Sequence, residues 1–110
     1  MNYYEFNVED KSYKLRLTTR NIVALEKTIG KNPLSIFTNG DGVPTITEMV
    51  SILFYSLQSL EHGIGMNEAY DIFDKYMEKN SAADFIAVIL DIYKASGIIR
   101  ETSGSEDEKN

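Results

Sequence analysis

Residues 4–17 alternate between apolar and polar positions with a period of two, which is typical of half-buried β-strands. The apolar positions of the two alternating runs are Tyr4, Phe6 and Val8 in the first, and Tyr13, Leu15 and Leu17 in the second. Only residues 9–11 separate the runs, a spacing that suits a β-hairpin, although no glycine marks the turn type. Because a lone hairpin is marginal in water, we expect its apolar face to lie on helices or in a sheet shared between subunits of an oligomer.

The apolar period changes to three and four residues after residue 17, which predicts amphipathic helices. Thr18 or Thr19 can cap a helix over Thr19–Ile29, and a glycine follows as the stop signal. A proline suits the first turn of a short helix over residues 33–37. The Asn-Gly-Asp-Gly cluster that follows predicts a loop over residues 38–44.

The remaining apolar stripes predict three longer helices. A Thr and a Glu at capping-box spacing begin the first, over residues 45–62, which is rich in apolar residues and expected to be central. The second, over residues 67–79, has one apolar and one charged face and should be peripheral. A Ser and an Asp at the same capping spacing precede the last, over residues 85–96. That helix should be buried on nearly all sides, or half buried and half facing a partner.

These elements together predict an α+β fold that is mostly α, with an N-terminal β-hairpin packed on a bundle of four main helices. A chain of 110 residues supports one hydrophobic core, so we expect residues 1–100 to form a single domain. Residues 101–110 contain no apolar side chain and are expected to form a disordered acidic tail.

Composition and charge argue against several classes of function. The chain has no cysteine, which removes disulfides, thiolate catalysis and cysteine metal sites. Its net charge of -6 argues against a general nucleic-acid binder, because neutralising phosphates requires a concentrated basic surface. No apolar run reaches the roughly 18 residues of a membrane-spanning helix, and the amino terminus lacks the features of a signal peptide. We therefore expect a cytoplasmic protein that contacts neither nucleic acid nor membrane.

Two patterns of oxygen-bearing side chains are similar to metal sites. Four residues match an EF-hand loop over residues 37–48, namely Asn39, Asp41, Gly42 and Glu48. Phe37 stands at the first position, where calcium needs an oxygen ligand, so a plain turn is favoured. The carboxylates of Glu68, Asp71 and Glu78 are interpreted as a solvated helix face, because Asp71 and Lys75 have the spacing of an ion pair.

Other candidate chemistry also has a structural interpretation. His62 is the only histidine, no base or second ligand is evident for it, and a place at a helix C-terminus explains it. Four basic residues have two interpretations, ordinary solvation or a docking surface for an acidic helix or peptide: Lys14, Arg16, Arg20 and Lys27. No phosphate-loop, dinucleotide, zinc-protease or nucleophile-elbow motif occurs. The sequence therefore predicts no catalytic, cofactor-binding or metal-binding residue and no enzyme.

Three segments carry a resemblance to a known family. They are LRLTTRNIVALEKTIGKNPLSIF from Leu15 to Phe37, TEMVSILFYSLQSLEHGI from Thr47, and NEAYDIFDKYMEKN from Asn67. Together they resemble the tail assembly chaperones of siphophages and prophages of Gram-positive bacteria, over most of residues 3–100. The resemblance implies a small protein that binds the tape-measure protein, while a frameshift-extended product recruits tail-tube subunits. Residues 108–110 can be encoded by a sequence containing the heptamer A AAA AAC, which would suit such a frameshift.

The three last helices carry more apolar residues than one interior stripe needs, which predicts a partner-binding rim. The rim candidates are Phe54, Tyr55, Tyr70, Phe73 and Tyr93. They would cover the hydrophobic seam of a tape-measure helix, with the core of the bundle as their alternative location. A different class of function is a small acidic regulator that occupies a nucleic-acid-binding protein. Residues 1–100 have a net charge of only -3 (ten basic against thirteen acidic residues), which is low for such charge mimicry.

Overall fold

A β-hairpin opens the fold, as the alternating pattern predicts. In the computed structural model, which describes residues 2–100, β1 (Tyr4–Val8) and β2 (Lys11–Leu15) form a two-stranded antiparallel sheet. The register pairs Val8 with Lys11, so the loop has two residues, one fewer than the sequence suggested. Phe6, Val8 and Leu15 are buried on the helix-facing side of the sheet. The predicted disordered tail and the residues of the proposed frameshift site lie outside the described residues.

The hairpin turn places a non-glycine residue in an unusual backbone conformation. Glu9 has a φ of 57° and is the one non-glycine residue with positive φ among residues 2–100. Positive φ at the first loop position alone is the pattern of a type II′ turn, which normally has glycine there. The Glu9 side chain lies 3.9 Å from Lys75 Nζ on the third α-helix, a partly exposed ion pair that contributes little to stability.

Two variants that both remove the Glu9 carboxylate isolate the effect of this backbone conformation. Glu9→Gly is expected to be more stable than Glu9→Val by about 1–2 kcal/mol, because glycine adopts positive φ freely and a β-branched residue does not. Urea unfolding measures the difference between the two variants directly. Equal stabilities would show that the turn does not hold the positive φ in solution.

Local capping signals set the first two helical elements. Helix α1 (Thr19–Ile29) begins at Thr18, whose hydroxyl accepts a hydrogen bond from Asn21 N at 3.2 Å, and it ends at Gly30 with φ of 73°. The short helix predicted from Pro33 is a 3₁₀ helix, Pro33–Thr38, that extends one residue beyond the prediction. Both predictions of an element here are confirmed.

Three more α-helices follow, and two of them end earlier than predicted. They are α2 (Ile46–Leu57), α3 (Met66–Tyr76) and α4 (Phe85–Ser96), the last preceded by a 3₁₀ turn over Ala82–Asp84. Helix α2 ends before Gly63 because the Gln58 side chain donates to the Phe54 carbonyl at 3.0 Å, and the Gln58 backbone N–H shifts to the Tyr55 carbonyl. Helix α3 ends before residue 79, where the Asn80 side chain donates to the Tyr76 carbonyl at 3.1 Å.

Helix α2 occupies the centre of the fold, as predicted. It contacts α1, α3, α4 and β2, and eight of its twelve residues are buried. Helix α4 is half buried, since Phe85, Ile89 and Tyr93 point inward while Leu90 is exposed. The fold is therefore α+β and mostly α, a hairpin packed on four α-helices.

The segment between β2 and α1 ties the hairpin to the end of α4. The Arg16 guanidinium donates to the Ala95 carbonyl at 2.7 Å and to the Asn2 carbonyl at 2.8 Å. Leu17 N donates to the Ser96 hydroxyl at 2.8 Å. Arg16 therefore has a structural role, which weighs against its use in a basic docking strip.

Candidate partner-binding surface

The five aromatic residues predicted to form a rim occupy three different environments. Tyr70 is 53% exposed on α3, whereas Phe54 and Tyr55 on α2 are half buried. Phe73 and Tyr93 are 2% and 0% exposed. The rim placement is therefore wrong for Phe73 and Tyr93, which belong to the core.

Phe73 is buried because its ring packs between Phe85 of α4 and Tyr76, one turn further along α3. The ring centroids of Phe73 and Phe85 are 5.1 Å apart in an edge-to-face contact, and Phe73 and Tyr76 are 6.1 Å apart. Phe6 of β1 contacts both Tyr76 and Phe85, at 5.3 Å and 5.8 Å. These four rings form one aromatic cluster that joins β1, α3 and α4.

Tyr93 is buried at the opposite end of α4 from Phe85 and uses its hydroxyl internally. The hydroxyl donates to the Pro33 carbonyl at 2.9 Å, and the Phe37 ring contacts the Tyr93 ring edge-on. Burial first, and then the negative charge of Glu48, raise the pKa of Tyr93 well above its usual value. The phenol therefore stays protonated and holds the 3₁₀ helix on α4.

Phe54 and Tyr55 form an adjacent pair with partial access to solvent. Their ring centroids are 4.9 Å apart in an edge-to-face arrangement. The Tyr55 hydroxyl shares a 2.7 Å hydrogen bond with the Thr28 hydroxyl, which links α2 to α1. Tyr55 therefore has a packing role as well as an accessible edge.

Tyr70 belongs to an exposed stripe on α3 that includes one apolar residue, Met77, absent from the rim predicted from sequence. Tyr70, Asp74 and Met77 follow one another at spacings of four and three residues, which places them on one face of the helix. Met77 is 38% exposed, and Asp71 and Glu78 beside the stripe are exposed as well. We call Tyr70, Asp74 and Met77 the Tyr70 stripe; it is an apolar pair in acidic surroundings.

Tyr70 and Met77 are seven residues apart in the sequence, a spacing that indicates a shared face of a helix. The period of α3 puts residues i and i+7 on one face, but the apolar arc of this helix also contains Ala69, Phe73 and Tyr76. Sequence reasoning joined all five positions into one face. The structure divides them into a buried arc and an exposed stripe.

A buried carboxylate anchors the loop between the 3₁₀ helix and α2. Glu48 Oε1 accepts from Thr45 N at 2.8 Å and from Asn39 Nδ2 at 3.2 Å, and Oε2 lies 3.0 Å from Lys31 Nζ. Lys31 Nζ also donates to Asn39 Oδ1 at 3.0 Å. Asn39 and Glu48, two of the EF-hand candidates, are therefore occupied by the Lys31 ammonium. We call Lys31, Asn39, Thr45 and Glu48 the Glu48 network.

Opposing effects act on the pKa of Glu48. Burial is the largest and by itself raises the pKa of this carboxyl, whereas the hydrogen bonds from Thr45, Lys31 and Asn39 and the Lys31 charge lower it. The hydrogen bonds and the charge together outweigh burial, so the pKa of Glu48 lies below its usual value. The carboxylate is therefore ionised at neutral pH. The capping-box spacing predicted the contact with Thr45, but no local signal indicated Lys31, seventeen positions earlier.

The other candidate chemical residues do not form a common site within residues 2–100. Within residues 2–100, no three His, Asp or Glu side chains come together in a way that could hold a metal ion. The same part of the chain has no helix with the length and apolar character to cross a membrane. Lys75, weighed as a partner of Asp71, instead lies near Glu9 of the hairpin turn.

The fold and surface define a small α+β protein in which the Tyr70 stripe lies exposed on a peripheral helix. A protein-family model matches residues 4–108, and its description is a family of unknown function, DUF6096. The chain belongs to that family. No curated protein sequence and no solved structure matches the chain.

Proposed function

We propose that this protein is a phage tail assembly chaperone that binds and solubilises the tape-measure protein in the cytoplasm of the bacterial host. The resemblance of residues 15–37, 47–64 and 67–80 to that family supports the proposal. The observation that carries it furthest is the exposed Tyr70 stripe, because an apolar pair in acidic surroundings suits non-covalent binding of an apolar helix. In this proposal the protein performs no catalysis, and a frameshift-extended product recruits tail-tube subunits.

The spacing of the Tyr70 stripe suits a helical partner. Residues seven apart on a helix are separated by about 10 Å, or two turns, at 1.5 Å per residue. An apolar seam on a partner helix repeats every seven residues, so Tyr70 and Met77 would contact two successive repeats of that seam on the tape-measure protein. Asp71, Asp74 and Glu78 around them would keep the complex soluble.

The Phe54 and Tyr55 pair supplies a second candidate contact. Both side chains retain partial exposure, and Tyr55 is positioned by its hydrogen bond to Thr28. An aromatic side chain held in place loses little conformational entropy on binding, which suits an anchor. Their contribution is expected to be smaller than that of Tyr70, since more of their surface is already covered.

Co-expression with tape-measure fragments tests the proposal. The fragments alone are expected to aggregate through exposed apolar helix faces, and the full chain is expected to keep them soluble. Tyr70→Ala combined with Met77→Ala should weaken the complex by about 1–3 kcal/mol, measured by calorimetry, without loss of fold. Val23→Ala is the matched control, because Val23 is a similarly exposed apolar residue on α1, at 44%.

Three outcomes of this experiment decide the proposal. Equal weakening by the stripe variant and the Val23 control would place the binding surface elsewhere. Failure of the wild-type chain to bind or solubilise any tape-measure segment would overturn the chaperone function. Salt-sensitive binding to a DNA-binding protein, in place of the tape measure, would support the acidic regulator.

A further inference from the structure

Among residues 2–100, no strand pairs with the outer edge of β1. The sheet consists there of β1 and β2, so β1 pairs with a strand along one side. Lys14 N donates to Glu61 Oε2 at 2.7 Å and therefore points away from β1. Glu5 lies opposite Lys14, and two opposite residues of an antiparallel ladder either both bond across it or both point away from it. The backbone N–H and C=O groups of Glu5 therefore point away from β2. Those of Asn7, two positions further along the strand, do the same.

Other parts of the chain hydrogen-bond to the β2 edge of the hairpin, whereas the β1 edge is exposed. On the β2 edge, Lys14 N bonds the Glu61 carboxylate, and Arg16 N, just after the strand, donates to the Ser56 carbonyl at 2.9 Å. On the β1 edge, Glu5 and Asn7 are exposed. Within β1, the sequence YEFNV has no proline or lysine, and the register runs without a bulge, so these three devices that block strand addition are missing from this strand.

The sequence of β1 complements itself in one antiparallel register. A two-fold axis at Phe6 overlaps all five residues of the strand and pairs Glu5 with Asn7 of the second copy, twice. The Ser12 hydroxyl donates to Glu5 Oε2 at 2.8 Å, and in that register the Asn7 amide can donate to the other Glu5 carboxylate oxygen across the junction. A two-fold axis at Glu5 would place the two Glu5 carboxylates opposite each other. An axis at Asn7 would place Glu5 opposite Glu9 of the second copy. Both registers are unfavourable, because like charges lie directly opposite each other.

We propose that the chain forms a symmetric dimer in which β1 pairs antiparallel with β1 of a second copy, centred on Phe6. The dimer has a four-stranded sheet in the order β2-β1-β1-β2. Backbone hydrogen bonds at Glu5 and Asn7 supply the affinity, and the Glu5–Asn7 side-chain pairs set the register. This interface lies on the hairpin and does not depend on the function proposed for α3.

Opposite charge changes at Asn7 test both the interface and the register. Asn7→Glu places a carboxylate opposite Glu5 of the second copy at two symmetric positions, and Asn7→Lys places an ammonium there. We expect the first to raise the dimer dissociation constant about threefold to tenfold and the second to lower it by a similar factor. Sedimentation equilibrium of the full chain over a concentration series measures the dissociation constants, and far-ultraviolet circular dichroism verifies that each variant folds.

Two results would overturn the dimer. One is a wild-type chain that sediments as a monomer at every concentration tested. Another is a dimer that responds equally to both Asn7 variants while each remains folded, which would place the interface away from the β1 edge. Leu90→Ala is the control for a general apolar contact, because Leu90 is exposed on α4, and it should leave the dissociation constant unchanged.

Discussion

Replacing Phe73 by alanine is expected to lower the free energy of unfolding by about 3–5 kcal/mol, the range for truncating a buried phenylalanine. The side chain is 2% exposed and its ring contacts Phe85 and Tyr76, so its removal leaves a cavity beside both rings of the aromatic cluster. Those neighbours come from α4 and from the next turn of α3, and neither can close the cavity without moving its helix. Denaturant unfolding at pH 7 measures the change.

Tyr70→Ala is the matched control, because it removes an aromatic ring three positions away on the same helix. Tyr70 is 53% exposed, so we expect its truncation to change stability by less than about 0.5–1 kcal/mol. A Phe73→Ala variant as stable as Tyr70→Ala would mean that the aromatic cluster does not hold α3 against β1 and α4. It would also restore Phe73 as a surface residue.

The contrast between Phe73 and Tyr70 shows what the sequence pattern cannot predict, namely which apolar residues of α3 are buried. The helical period correctly predicted that α3 is amphipathic and peripheral, since that information lies within eleven residues. Its apolar arc is wider than its buried face, however, and the period alone cannot choose which edge points inward. The choice depends on Phe6 and Phe85, which are distant in sequence and meet Phe73 and Tyr76 only in the folded chain.

Element types were predictable because their signals are local. The capping pairs Thr45–Glu48 and Ser81–Asp84 join residues three apart, and both form in the structure. The early ends of α2 and α3 were not predictable from apolar spacing, because they depend on side-chain amides. The Gln58 side chain takes the Phe54 carbonyl that its own backbone N–H would otherwise bond, and the Asn80 side chain shares the Tyr76 carbonyl with the Asn80 backbone N–H.

Truncating Glu48 in the Glu48 network is expected to cause the second largest loss of stability. Glu48→Ala is expected to cost about 2–3 kcal/mol, because it removes the Glu48 half of the capping box and leaves Thr45 N and the Asn39 amide without their acceptor. The Lys31 side chain is 35% exposed and can turn to water, so its lost ion pair contributes the smaller part. Glu48→Gln retains an oxygen acceptor for Thr45 N and should cost about 1 kcal/mol.

Acidification should remove the difference between the wild type and Glu48→Gln. The folded-state pKa of Glu48 is lowered from its usual value of 4.5, so the unfolded chain binds its proton first as the pH falls. The stabilisation from the charged carboxylate is therefore complete above the unfolded-state pKa and is lost as the pH falls through the lower folded-state pKa. Urea unfolding of both proteins at pH 7 and at several pH values below 4.5 measures this loss, with the glutamine variant correcting for all other carboxylates. A stability difference that stays constant down to the lowest pH would show that the Glu48 charge does not stabilise the loop, and that the cap hydrogen bond alone holds it.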